Sequence, residues 1–553
     1  MRTQERMPPL GGRGARSRFP QAHLRGHCHV ARTVASRDVM THNIPHRMKR
    51  GLFLAATVAG IAWGTVALLG QWNNYARDAQ HTAQSSVPAQ ALSRIRWSTP
   101  VDLAPQYSQG ALLIHYGSPL LTATNTVIVP VKTGATGGFA VEAHDGTTGA
   151  LRWSQATDYI LPGGNNWTPV FGPAVTAQPR LYFPGVAGTV YYRDAPDSSS
   201  GAAGRVVFYG TVAYGAHPQA YNASIQINTP LTSDALGNIY FGFLVTKNNL
   251  VWPLYDSAGS VLTSGIARID PSGAGSWVAV TTAAGDATMT QVVYNGAPAI
   301  SESGGMVYVA VSNGSAGYLV ALDRTSLAPL HRVRLKDPKS GKDAILSNNG
   351  SASPTIGPDG DVYYGVLEDP CCKENHDRGW LLHFTSTLVQ AKTPGAFGWD
   401  ATAAILPAAA VRAYQGPSPY LLVIKYNNYS DPGAGGNGQN RIAVLDPDGT
   451  EIDPVTGVTV MNEVLTVLGP TPNPKRPGVK EWCINSVAVD PVTRAVLANN
   501  EDGKLYRWDL DTNTLTQSVV LTAGIGEAYT PTVSGPDGSV YAINNATLFA
   551  VGN

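Results

Sequence analysis

One phrase recurs along this chain, and it restricts the fold more than any other feature. A small residue and a proline lead into alternating apolar residues, then a turn, then an aromatic strand. It reads SPTIGPDGDVYYG from Ser353, TPTVSGPDGSVYAIN from Thr530 and TPLTSDALGNIYFG from Thr229. Looser copies begin at Ser118, Thr168 and Ala297, and two without the proline begin at Ala401 and Ile484. The glycine-containing centres tolerate the positive φ of a tight turn, so each copy reads as a β-hairpin. Antiparallel units of about fifty residues, repeated in tandem, bury their faces only against one another, and that predicts an all-β propeller of four-stranded blades.

Eight such units fit between Ser118 and Asn553, and the last lacks an outer strand. The missing piece lies at the other end of the repeat region. SRIRWSTP from Ser93 repeats the ALRWSQAT that closes the first unit at Ala150, with Arg96-Trp97-Ser98 matching Arg152-Trp153-Ser154. The N-terminal strand is therefore expected to complete the final blade, removing the exposed edges of an open ring. The irregular sixth unit leaves seven blades as the alternative to eight.

Composition agrees with turns and strands: 59 glycines, 39 prolines and only 14% charged residues. The N-terminus is different. Residues 1–47 form a basic leader or a misassigned start; the first fifty residues hold ten arginines and Lys49 against Glu5 and Asp38. The uncharged apolar run that follows, within residues 48–70, has the length of an export signal or a single membrane anchor. Residues 71–92 read as an entry segment and 93–553 as the propeller. Export to the periplasm or cell surface is the expectation, with the membrane met only through the N-terminal segment. With a net charge of +9 in the first fifty residues, a chain of net charge +1 leaves an acidic body, which does not suit nucleic acid.

AHDGTTGALRW, Ala143 to Trp153, resembles the A-x-D-x-x-T-G-x-x-x-W docking repeat of eight-bladed quinoprotein-dehydrogenase-like propellers. Degenerate copies stand at Ala321, Arg268, Val444 and Arg507, and WNNYARDAQHTAQS from Trp72 resembles the entry segment of that group. The resemblance spans Trp72 to Asn553. It implies the fold, but the group joins pyrroloquinoline-quinone dehydrogenases to a barrel-assembly scaffold of the bacterial outer membrane, so it does not choose an activity.

Loops entering the innermost strands and loops joining second to third strands share one face. The long segments Asp194–Gly204, Lys247–Gly265, Glu368–Arg378 and Asn427–Asn440 are expected there, on the better binding face. The residues just ahead of the innermost strands should ring the channel mouth: Tyr116, Asn166, Trp167, Asn228, Asn295, Asn349, Trp399, Asp400, Glu481, Trp482, Glu527 and Tyr529. Aromatic planes, amides and carboxylates suit a polar, ring-bearing ligand or an extended peptide, or they satisfy loop backbones and plug the channel. The preferred reading is a non-catalytic binding or scaffold module for a protein, peptide or glycan of the cell envelope, with no cofactor. The alternative is an oxidoreductase acting on alcohols or sugars with pyrroloquinoline quinone and calcium, although no calcium-ligand set or catalytic aspartate can be mapped.

DPCCKENHDRGW, Asp369 to Trp380, carries the most suggestive chemistry. In an exported protein Cys371, Cys372 and Cys483 are disulfide candidates. A bridge between neighbours would be strained by their short Cα separation, a bridge to Cys483 must skip a blade, and a free Cys483 is the plain reading. The resemblance implies an adjacent-cysteine disulfide over a quinone, but early in the propeller rather than in the fifth unit. Adjacent cysteines rarely share one metal and no CxxC partner exists, so no metal site is expected. The acidic stretches Gly357–Asp361 and Asp446–Asp453 are read as hairpin turns.

Overall fold

A computed structural model describes residues 71–553, apart from 109–110, 113, 136, 162–169, 248–250, 348–349, 391, 483–484 and 525–529. The basic leader and the apolar run lie outside the described residues. Among the described residues eight antiparallel blade sheets follow one another in chain order, beside one two-stranded hairpin, so the blade count is eight and not seven. Blade one shows the pattern: Leu120–Leu121 innermost, then Thr126–Lys132, Phe139–Asp145 and Leu151–Thr157. The second strand is buried at every position because a neighbouring blade covers each face, which is why such strands read as continuous apolar runs. The outermost strand alternates between exposed and covered positions.

The ring closes as the repeated RWS phrase requires. Arg94–Pro100 pairs antiparallel with Thr547–Gly552 and becomes the fourth strand of blade eight. Trp97 on this strand reaches back to blade one, donating from Nε1 to the Gly146 carbonyl at 3.0 Å. Its ring lies over Gly149, where φ is +76° and an added Cβ would stand 2.7 Å from the indole, so the docking repeat needs glycine there. The repeat's aspartate holds the same turn: Asp145 Oδ1 accepts the Thr147 and Thr148 amides, and Asp323 and Asp509 do likewise in blades four and seven.

The entry segment winds once around the axis and touches every blade in order. Trp72 exchanges backbone hydrogen bonds with Leu121 of blade one, and the carbonyl of Asn73 accepts Val175 N of blade two. Asn74 Oδ1 accepts Ser233 N of blade three. The carbonyls of Ala79, Gln80, Thr82 and Ala83 then accept Ile300, Ile356, Ile405 and Val489 of blades four to seven, and Gln90 N donates to Gly538 of blade eight. Positive φ at Ala76, Arg77, His81 and Ala83 gives the segment its tight curl.

Three expectations need correction, and one element was not anticipated. Blade five has three strands, Thr355–Ile356, Val362–Val366 and Trp380–Phe384. Its fourth is reduced to a single bridge, Leu381 to Gly395, where Pro394 has no amide to pair. Asp446–Asp453 is not the hairpin turn: strand Arg441–Ile452 runs through it with a register shift between Asp446 and Thr450, and the chain turns at Asp453–Gly457. Asp194–Gly204 joins the third and fourth strands of blade two and so lies on the face opposite the other long loops. Finally, the link from blade two to blade three folds into helices Thr211–Ala216 and Pro218–Ser224, the second started by proline at its first position.

Candidate binding face and channel

The axis is held together by its own polar side chains. Asn295, at φ +63°, accepts Val170 N at 2.9 Å and donates to the Gly350 carbonyl at 3.0 Å, and its amide donates to the Asn228 carbonyl. Asn228 Nδ2 donates to the Val292 carbonyl. Ser351 Oγ donates to Asp400 Oδ1 at 2.6 Å and receives Asn485 Nδ2, while Lys425 Nζ sits 3.8 Å from Asp400 Oδ2. The Tyr116 hydroxyl donates to Asp102 Oδ2, itself in a buried ion pair with Lys132 at 3.0 Å. Burial first, and the Asp102 charge second, push this phenol well above its ordinary range.

These groups enclose an axial cavity lined by Tyr75, Tyr116, Asn295, Ser351 and Asn485, of about 10 Å³, which holds about one water. Beside the cavity the Asp400 carboxylate is engaged by Ser351 and lies near Lys425.

Of the remaining mouth residues, Asn166, Trp167, Asn349, Glu527 and Tyr529 lie outside the described residues. Half-buried Trp399 lies on Gly350, whose added Cβ would meet the indole at 3.3 Å. Trp482 is fully buried, its ring edge-on to Tyr506 of blade seven at 5.7 Å, so it packs within a blade seam. Half-buried Glu481 accepts Glu501 N through its carbonyl. The fold thus gathers Tyr116 and Asn295 at the axis, with Asn228 and Asp400 bonded beside them, and sets Trp482 apart. Ser351 and Asn485 complete the group; sequence reading passed over both, although each precedes an innermost strand.

The cysteine loop joins the second and third strands of blade five. Cys371 and Cys372 are bonded to each other across a cis peptide; Cys483 lies outside the described residues. Their sulfurs group with Asp377, but sulfurs joined to each other do not supply the thiolate that metal ligation uses. Buried Glu368 accepts the amides of Asp377 and Gly379 at 2.7 and 2.9 Å. Arg378 is sealed in an ion pair with Asp453 at 2.7 Å, both side chains at or below 2% exposed, and also donates to Tyr426 and Asn375. Trp380 Nε1 reaches Asp337 of the preceding blade. Asp377 is pushed up to about 7 by burial and then by the charges of Glu368 and Asp431.

Loops 247–265, 368–378 and 427–440 share the face with the helical link of blades two and three. Over blades two and three this face exposes large apolar side chains. Val212 is 79% exposed, and Val251, Trp252, Tyr255 and Val261 are each about 40% exposed.

No family model matches the chain, and no curated protein matches it. Among solved structures it is similar to the quinohemoprotein alcohol dehydrogenase of Comamonas testosteroni, at 13% identity and TM-score 0.39, covering 87% of this chain and 80% of that one. A europium-containing methanol dehydrogenase is matched at 13% identity and TM-score 0.38, over 85% and 89% of the two chains. BamB of Moraxella catarrhalis is matched at 12% identity and TM-score 0.34, over 84% and 90%. The blade count rests on this chain's own strand pairing.

Proposed function

We propose that this protein is an exported, non-catalytic propeller scaffold that holds a protein or peptide partner on its long-loop face. The observation that carries the reading is the contrast along the axis. The described polar groups around the channel are engaged in joining blades, while the loops over blades two and three expose five large apolar side chains, Val212, Val251, Trp252, Tyr255 and Val261. Contiguous exposed apolar surface of this kind marks interaction sites on stable proteins. Cross-linking the protein in envelope extract should capture a partner that the triple variant Val212→Ser, Trp252→Ser, Tyr255→Ser releases while its melting curve stays unchanged. Equal capture by the variant rejects the surface. Titration with pyrroloquinoline quinone and calcium addresses the oxidoreductase alternative: a bound-cofactor spectrum with dye reduction by alcohols would replace the scaffold reading.

A further inference from the structure

A cleft opens between blades two and three and adjoins the long-loop patch at Thr211 and Asp256. It has a volume of about 740 Å³, within the range of small-ligand sites. One wall comes from blade two, with Arg180, Tyr192 and Arg205. The other is the outer strand of blade three and its turn, Ser272 to Trp277, with Asp256 at one end.

The chemistry of this cleft is specific. Trp277 is half-buried, its ring edge-on to Phe243 at 5.9 Å and its Nε1 donating to Asp256 Oδ2 at 3.1 Å, so the indole is held in one orientation. Tyr192 is braced by the Arg180 guanidinium, 4.6 Å from its ring centroid. Both arginines of the wall are ion-paired, and its carboxylate is hydrogen-bonded. Arg180 Nε donates to Asp194 at 2.5 Å, Arg205 pairs with Asp158, and Asp256 receives Trp277 and the amides of Ala258 and Ser260. What remains is a pair of fixed aromatic rings, serine hydroxyls and guanidinium groups with donors to spare, beside one carboxylate, Asp256, that is held by neutral donors. Sugar rings present apolar C–H faces to aromatic planes and hydroxyls to such donors and acceptors. A charged ligand would have to displace existing ion pairs.

We propose that the cleft between blades two and three binds a neutral glycan segment of two or three sugar rings. The cleft borders the patch assigned to the partner, but Trp277 and Ala274, the positions tested below, are not among the side chains of that patch.

The test uses the full chain and defined probes: maltohexaose, cellohexaose and chitohexaose as neutral glycans, with poly-glutamate and an uncharged Gly/Ser peptide as comparators, followed by calorimetry and affinity electrophoresis. Saturable binding of at least one neutral hexasaccharide is expected, weakened at least tenfold in Trp277→Ala. Ala274→Trp, at an exposed cleft position, should block the same binding while leaving the indole in place, which guards against misfolding of the first variant. Silence of all three sugars, sugar binding indifferent to both variants, or binding of only the peptide or the polyanion overturns the assignment.

Discussion

The two ends of the propeller axis are built to opposite purposes. At the end where the entry segment winds, one short stretch of chain makes a hydrogen bond to each of eight blades in turn. Most of the described hairpins there are short, although Asp194–Gly204 of blade two is not. At the other end the chain runs into long loops and a helical link, and large apolar side chains face solvent. The first end uses its polar groups for closure, and the second leaves surface over. A ring whose integrity is secured at one end tolerates loop variation at the other, as expected when loops carry function on a rigid scaffold. Breaking each end in turn should therefore give different failures.

The largest effect should come from the closing end. Removing residues up to Gln90 deletes the belt that bonds all eight blades, and the protein should fail to give a cooperative melt. Trp97→Ala keeps the belt but empties the docking seat on Gly149; loss of a buried tryptophan costs about 3–5 kcal/mol, measurable by urea unfolding. If either variant unfolds like the parent, closure is not where the stability resides.

The loop end has one point of comparable rigidity. Arg378 and Asp453 form a buried pair that ties the cysteine loop to blade six. Arg378→Met strands a carboxylate and should cost about 3–5 kcal/mol, whereas Arg378→Met with Asp453→Leu should recover most of that loss. Equal destabilisation by the single and double variants would show that packing, not the uncompensated charge, is at stake.

Titration separates the ends by sign. His81, in the belt, is lowered from its usual value to about 4 by burial; Nδ1 lies 2.7 Å from the Pro354 carbonyl and Nε2 has no partner. The unfolded chain takes up that proton near 6.5 and the folded one does not, so this contribution is full above 6.5 and is lost as pH falls to 4. Asp377, on the loop end, is raised to about 7. Its contribution is full below the ordinary carboxylate value and is lost as pH rises through 7. Urea unfolding between pH 4 and 8 should show a flatter acid limb in His81→Asn and a flatter neutral limb in Asp377→Asn.

Blade number and ring closure were legible because each rests on repetition: Arg96-Trp97-Ser98 against Arg152-Trp153-Ser154, and one hairpin phrase copied eight times. What repetition does not encode was missed. Nothing local in PDGTEI shows that blade six carries it inside a long bulged strand rather than at the turn. Counting strands in blade two also failed, because the serine-rich loop gives no sign of which strands it joins. At the site, Asn295 and Asp400 could be placed near the axis by their position before innermost strands, yet Trp482 occupies the equivalent position and packs in a seam. Position in the repeat sets where the backbone goes; the neighbouring blade decides which way the side chain turns. Arg378 and Asp453 are 75 residues apart, and only the three-dimensional contact reveals them as a pair.

The smallest expected effect on stability is the one that bears most on function. Trp252 and Tyr255 are partly exposed, with the Lys247 ammonium 5.3 Å from the Trp252 ring. Exchanging Trp252 or Tyr255 for serine removes no enclosed contact of the kind that ties Arg378 or Trp97, so unfolding should shift by less than about 0.5 kcal/mol. Capture of the partner should nonetheless fall at least tenfold, since an aromatic anchor at the centre of an interface carries more than 1.4 kcal/mol of its binding. A large stability loss without loss of capture would reverse the comparison: the loop end would then be part of the scaffold, and the partner surface would have to lie on the outer walls of the blades.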